Sequence, residues 1–199
     1  EIVELESVPH AVSYLKQHKG YEDLFEGYNE ADLHRGQIEK MLRLTVYRDF
    51  SKLYRFANVE QRKFLALYFK RYEVSVIKEC LNTVFDHRDV VLNLSIFDEF
   101  FNKHSQLDIN LLASSRTIEE LIANLKGTEY YAPLSQLADI ERPTLFDYEM
   151  TLDLYYFAQM WKDRSKVVTK RDLEELTAAW GSKFDMLNLQ WIYRSKRYY

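Results

Sequence analysis

Apolar residues recur at steps of three and four over most of the chain. From Ile38 they run through Leu42, Val46, Phe50, Leu53, Tyr54 and Ala57, which puts them on one face of a helix. A second stripe starts at Phe64, Leu67 and Tyr68 and continues through Ile77, Leu81, Val84 and Phe85. A third, on a helix expected over 142–162, holds Phe146, Met150, Leu154, Phe157 and Trp161. The last runs through Phe184, Leu187, Trp191, Ile192 and Tyr198. The one strand-like piece is "DVVLNLSIF" (Asp89 to Phe97), read as a linker that leads into a short helix.

Helix-end chemistry agrees with this pattern. Thr117 with Glu120 three residues on reads as a capping box before Ile118. Thr169 precedes a first turn that carries Asp172, a favourable place for an acid. Gly127 and Gly181 each follow a helical run, where a left-handed cap is expected. Pro143 sits near a helix start, where its missing N–H does little harm.

The chain also repeats itself. "PHAVSYLKQHKGYEDL" (Pro9 to Leu24) returns as "EELIANLKGTEYYAPL" (Glu119 to Leu134), with Leu15/Leu125, Lys16/Lys126, Tyr21/Tyr131 and Leu24/Leu134 identical. The same offset continues through Glu39/Glu149, Leu42/Leu152 and Tyr47/Phe157. After a two-residue insertion, Glu73/Asp185, Val74/Met186, Ile77/Leu189 and Leu81/Tyr193 align as well. Each copy therefore reads as a short helix, a Tyr-marked turn and two long helices. The expected organisation is a first helical repeat over 1–88, a linker with a short helix over 89–110, and a second repeat over 111–199. The fold class is all-α, built of two pseudo-repeated helical bundles.

Composition narrows the picture further. Five Gly and three Pro in 199 residues are too few for the frequent turns of an all-β fold. The net charge is −4 and neither half is basic, which disfavours a nucleic-acid surface. The aromatic and basic end "YRSKRYY" does not outweigh that balance. A single cysteine, Cys80, excludes a disulfide framework and suits a reducing cytosolic compartment. No apolar run reaches the roughly 18 residues of a membrane span, and no signal peptide is visible. The start at Glu1 and the end at "YRSKRYY" read as cuts in a longer protein.

Candidate chemistry is sparse. Dinucleotide, phosphate-loop and Gly-x-Ser-x-Gly patterns are missing. The five histidines are scattered, without the spacing a helical zinc or di-iron site needs. Cys80 among Ile77, Leu81 and Val84 reads as a core thiol. No catalytic, cofactor-binding or metal-binding residue is assigned. Asp147, Glu149 and Asp153 leave open an all-α enzyme with buried carboxylates, their alternative being a solvated face. Glu149 is a candidate partner for Arg194, an ion pair that would fix helix register, with Asn82 standing at the place of Arg194 in the first copy. Arg35, Lys40, Arg43, Asp147 and Asp153 are candidate interface residues on the long helices. The 15 Tyr, 12 Phe and 3 Trp serve helix packing, a protein interface, or both. A general helical scaffold is a third reading. The repeat is far longer than the about 34 residues of tetratricopeptide solenoids.

"TIEELIANLKGTEYYAPL", "LFDYEMTLDLYYFAQMWK" and "FDMLNLQWIYRSKRYY" resemble the C subunit of the V-type and A-type ATPases, known as the d subunit in the eukaryotic enzyme. "DLHRGQIEKMLRL" and "LALYFKRYEVSVIKECL" look like that family's first repeat. The resemblance implies three similar helical domains forming a funnel, of which this chain covers two. It implies a non-catalytic rotor part that needs no cofactor, seated at the cytoplasmic face of the membrane without a span of its own. The implied partners are the central-stalk subunits and the membrane proteolipid ring, with ATP coupled to proton or sodium transport.

Overall fold

A computed structural model describes residues 5–86 and 93–198, with the backbone alone at Ala138, Asp139 and Tyr198. Every regular element among the described residues is helical, as the sequence pattern predicts. The chain divides into two compact units, one up to Phe56 and the other from Ala57 onward.

The first unit begins with α1 (Val8–Lys16), capped by the Ser7 hydroxyl, with Pro9 in its first turn. Two short 3₁₀ turns follow, Glu22–Phe25 and Glu30–Asp32, and then α2 (Arg35–Phe56). Val12, Leu24, Phe25, Leu33 and Met41 form the core, with Leu15, Ile38 and Leu42 against it. The Lys16 ammonium reaches Glu30 Oε1 at 2.6 Å and the Tyr28 carbonyl at 3.1 Å, tying α1 to the second turn. The apolar stripe expected along all of α2 is only half buried. Met41, Tyr47 and Phe50 are covered, whereas Val46, Leu53 and Phe56 are exposed. Within this unit α1 and the turns meet α2 near Ile38, Met41 and Leu42, so the far end of the helix gains no cover from them.

The second unit opens with α3 (Val59–Phe85), started by a reciprocal Asn58–Gln61 capping box with both bonds at 2.9 Å. A 3₁₀ turn (Ser95–Phe97) leads to α4 (Asp98–His104), α5 (Ile109–Ser114), α6 (Ile118–Asn124) and α7 (Tyr131–Ser135). Two long helices close the chain, α8 (Leu145–Val167) and α9 (Lys170–Tyr198). Residues 89–92 of the expected linker lie outside the described residues. Its described part is not a bare connection, because Phe97, Phe100, Phe101 and Leu107 are buried and Phe69 of α3 packs on the Phe100 ring at 5.0 Å.

The caps come out unevenly. Thr117 caps α6, but Glu120 reaches back to the N–H of Arg116, one residue beyond the cap. Gly127 adopts φ 89°, the left-handed turn expected after α6. Gly181 does not cap anything: α9 runs straight through it to Tyr198. A side chain added at this glycine would lie against the Trp161 ring of α8. Pro143 falls before Thr144, which is the actual cap of α8.

Candidate functional site

The long helix α8 is apolar on two faces, and this decides how the second unit is built. The stripe anticipated from sequence faces α9: Phe146 meets Trp191 at 5.3 Å, Phe157 meets Phe184 at 5.1 Å, and Trp161 meets Phe184 at 5.9 Å. Leu154 of that stripe is exposed. A more deeply buried stripe, Tyr148, Leu152, Tyr156 and Met160, lies on the opposite face. It belongs to the seam with α3, where Phe85 packs on Tyr148 at 5.7 Å.

Polar pairs fix the register of that seam. Lys78 Nζ meets Asp153 Oδ1 at 2.7 Å, with both groups mostly shielded from solvent. Asn82 Nδ2 donates to Glu149 Oε1 at 2.8 Å and also to the Lys78 carbonyl. The expected Glu149–Arg194 pair is therefore corrected. Glu149 faces α3 and takes Asn82, while the Arg194 guanidinium lies 5.9 Å from the Trp191 ring centroid on its own helix.

A second polar network sits where α3 crosses the α4–α7 region. Glu73 is a buried carboxylate that accepts from Tyr130 Oη at 2.6 Å and from the Ser105 hydroxyl. Burial pushes its pKa above the ordinary glutamate value, and the two hydroxyl donors oppose that rise. Burial beside the Glu73 carboxylate likewise raises the Tyr130 phenol. One turn back on α3, Lys70 pairs with Glu129, which also accepts from Tyr155 Oη of α8 at 2.7 Å. The Tyr130 and Tyr155 rings meet edge to face at 5.9 Å. These bonds join α3, the turn before α7, and α8. Sequence reading missed them; the available signal was Glu73 itself, an acid on the apolar face between Phe69 and Ile77.

The anticipated interface residues separate by helix. Arg35, Lys40 and Arg43 all lie on α2, and Arg35 is wide open, its Nε donating to Glu39 at 2.7 Å. Asp147 and Asp153 lie on α8 and have structural partners. Asp147 closes the capping box of α8 with Thr144, whose hydroxyl and backbone N–H hold it below the usual carboxylate range. Cys80 is buried, and burial raises its thiol to about 12, as a core thiol requires. Among the described residues no group of three or more His, Cys, Asp or Glu side chains is placed to hold a metal ion. No helix among them is long and apolar enough to cross a membrane.

Comparison with known proteins gives these seams a context. The model of the ATP synthase (C/AC39) subunit family matches residues 1–199. The C subunit of the A-type ATP synthase of Methanosphaera stadtmanae is 26% identical over 200 residues, covering 98% of this chain and 49% of that protein. The C subunit of the Methanosarcina mazei A-type ATP synthase is 28% identical over 179 residues, covering 88% and 46%. Its counterpart of the same name from Methanocaldococcus jannaschii is 24% identical over 162 residues, covering 80% and 40%. The chain thus spans about half the length of the curated relatives it matches. No solved structure matches it significantly. Since the family model covers the whole of it, the chain belongs to the ATP synthase (C/AC39) subunit family.

Proposed function

We propose that the chain acts within a non-catalytic coupling part of a rotary ATPase, a seat that joins the central stalk to the membrane proteolipid ring. In this reading ATP hydrolysis or synthesis is linked to proton or sodium transport through that seat. The observation that carries it is the family match over the full chain, with relatives named as C subunits of A-type ATP synthases. The internal repeat supports it, because similar helical units set around an axis make a round seat. The packed aromatic seams support it too: a part that transmits torque needs stiff, extensively buried helices. The protein then lies peripherally on the cytoplasmic face, and Arg35, Lys40 and Arg43 of α2 are the proposed contact residues for its partners.

The test is a titration of the chain against purified central-stalk subunits and against the detergent-solubilised proteolipid ring. Binding to both supports the seat. Binding to neither, with the chain folded, sinks it. Reversing Arg35, Lys40 and Arg43 to Glu together should weaken stalk or ring binding at least tenfold while leaving the helical content unchanged.

A further inference from the structure

One buried hydroxyl of the α3–α8 seam is left over from the networks described above. Tyr156 is 5% exposed, and its Oη is sealed from solvent with no hydrogen-bond partner among the described residues. A hydroxyl in that position has given up its bonds to water and gained none in return, so phenylalanine would serve the core better. A tyrosine there makes sense when something else supplies the partner.

The groups around Tyr156 indicate the chemistry of that partner. The Lys78–Asp153 and Asn82–Glu149 pairs set an antiparallel register, and the same register brings Tyr156 level with Ser75, within about a turn of Arg71 and Tyr72. Arg71 Nη1 donates to Tyr68 Oη at 3.1 Å, which leaves the Tyr68 hydrogen to be given elsewhere. The Tyr68 and Tyr72 rings meet edge to face at 6.2 Å. Exposure falls along the set, from the open Arg71 through half-buried Tyr68 to Tyr156. The groups that act electrostatically on Tyr156 are Tyr68, Arg71 and Tyr72, and those that act on Arg71 are the three phenols; no carboxylate is among them. By contrast, the two lysines flanking this stretch of α3 each have an acid, Lys70 with Glu129 and Lys78 with Asp153. Burial, and then Tyr68, push the Tyr156 phenol above its ordinary value, so it stays protonated and able to donate. Donors and one fixed positive charge thus gather here without an anionic acceptor.

We propose that Tyr68, Arg71 and Tyr156 form a binding site for a phosphate group at the α3–α8 seam, with the Tyr156 hydroxyl at its floor and the Arg71 guanidinium at its mouth. Its donors come from two helices. A tetrahedral oxyanion can accept from all of them at once, whereas a carboxylate offers two oxygens in a single plane and suits one guanidinium fork. Free phosphate and a nucleotide share the group that would be recognised. The site is distinct from the α2 residues offered as partner contacts, and it does not rest on the rotary role.

The test is calorimetric titration of the chain with inorganic phosphate and, separately, with ATP, with thermal unfolding alongside. The expected result is saturable one-to-one binding, weakened about tenfold by Arg71→Gln and about fivefold by Tyr156→Phe. Tyr156→Phe keeps the ring in the seam, so it reports on the hydroxyl and not on packing. Lys52→Gln, which removes an exposed cation paired with Asp49 on α2, should leave the affinity unchanged. Phosphate should raise the Tm of the unaltered chain and not that of Tyr156→Phe. Tighter binding of ATP than of phosphate, lost in the same two variants, would support the site with a nucleotide as its source; equal affinities would support it with free phosphate. No saturable binding of either probe overturns the proposal, as does binding that Tyr156→Phe leaves unchanged or that Lys52→Gln weakens as much as Arg71→Gln does.

Discussion

Gly181→Ala is the sharpest test of how α9 is built. The sequence suggests a left-handed cap at this glycine, whereas the structure runs a helix through it. The two conformations give opposite signs. In a helix interior, alanine is favoured over glycine by about 1 kcal/mol, because glycine loses more backbone freedom on folding. The added methyl would lie 3.8 Å from Cη2 and 3.9 Å from Cζ3 of Trp161, which is ordinary van der Waals contact without a clash. Partial burial of one methyl adds a few tenths of a kcal/mol, against about 0.8 for full burial. The expected gain is about 1 kcal/mol, or a rise in Tm of about 2–4 °C. Were residue 181 left-handed, alanine would instead cost about 1–2 kcal/mol. Thermal and urea unfolding of both proteins decide the matter, and destabilisation would refute the continuous helix. Gly127→Ala is the matched contrast: at φ 89° the same change should destabilise by about 1–2 kcal/mol.

The polar networks predict a different set of outcomes. Glu73→Ala leaves the Tyr130 and Ser105 hydroxyls without their shared acceptor and should cost about 1–3 kcal/mol in urea unfolding. The folded pKa of Glu73 is raised, so the protonated form is the better bound. Its contribution is full below the ordinary glutamate value and is lost as pH rises through the folded value; Glu73→Gln should flatten that part of the stability profile. Asn82→Ala should destabilise by about 1–2 kcal/mol, and a double-mutant cycle with Glu149→Gln should recover a coupling, whereas Arg194→Ala should change the 199-residue chain by less than about 0.5 kcal/mol. Cys80 should react with a thiol reagent at neutral pH only as fast as the second unit opens, which stopped reactions in rising urea would show.

Much of the fold was legible because its elements are long and periodic. The stripes from Phe64 to Phe85 and from Phe146 to Trp161 and the caps at Thr117 and Gly127 follow from local chemistry alone. What was hidden depends on which face a neighbour occupies. On α8 the aromatic stripe through Phe146, Phe157 and Trp161 drew attention, while Tyr148, Tyr156 and Met160, less conspicuous in sequence, are more deeply buried. On α2 the stripe continued past Phe50 in sequence but not in burial, since periodicity reports apolar spacing and not the length of the partner. The pairing of Glu149 was misread for a related reason. Both Asn82 and Arg194 lie within reach along the sequence pattern, and only the packing of α3 on α8 shows that the bond crosses from one copy to the next.

That crossing also separates the sequence repeat from the folding unit, with a direct consequence. The repeat expected from sequence ends at residue 88, which would make α3 the end of the first copy. The compact unit begins at Ala57, so α3 belongs with α4–α9. A fragment of residues 57–199 should therefore fold with native helicity, while residues 111–199 should not. Removing α3 uncovers Tyr130, Tyr148 and Tyr156, which touch it through Glu73, Phe85 and the Tyr68–Tyr72 turn. At about 2–3 kcal/mol for each buried aromatic side chain, the loss is comparable to the roughly 5–15 kcal/mol that holds a domain together. Circular dichroism and urea unfolding of the two fragments test this. A cooperative transition in 111–199 equal to that of 57–199 would mean that the second copy is self-sufficient and that the α3–α8 seam is a contact between finished domains.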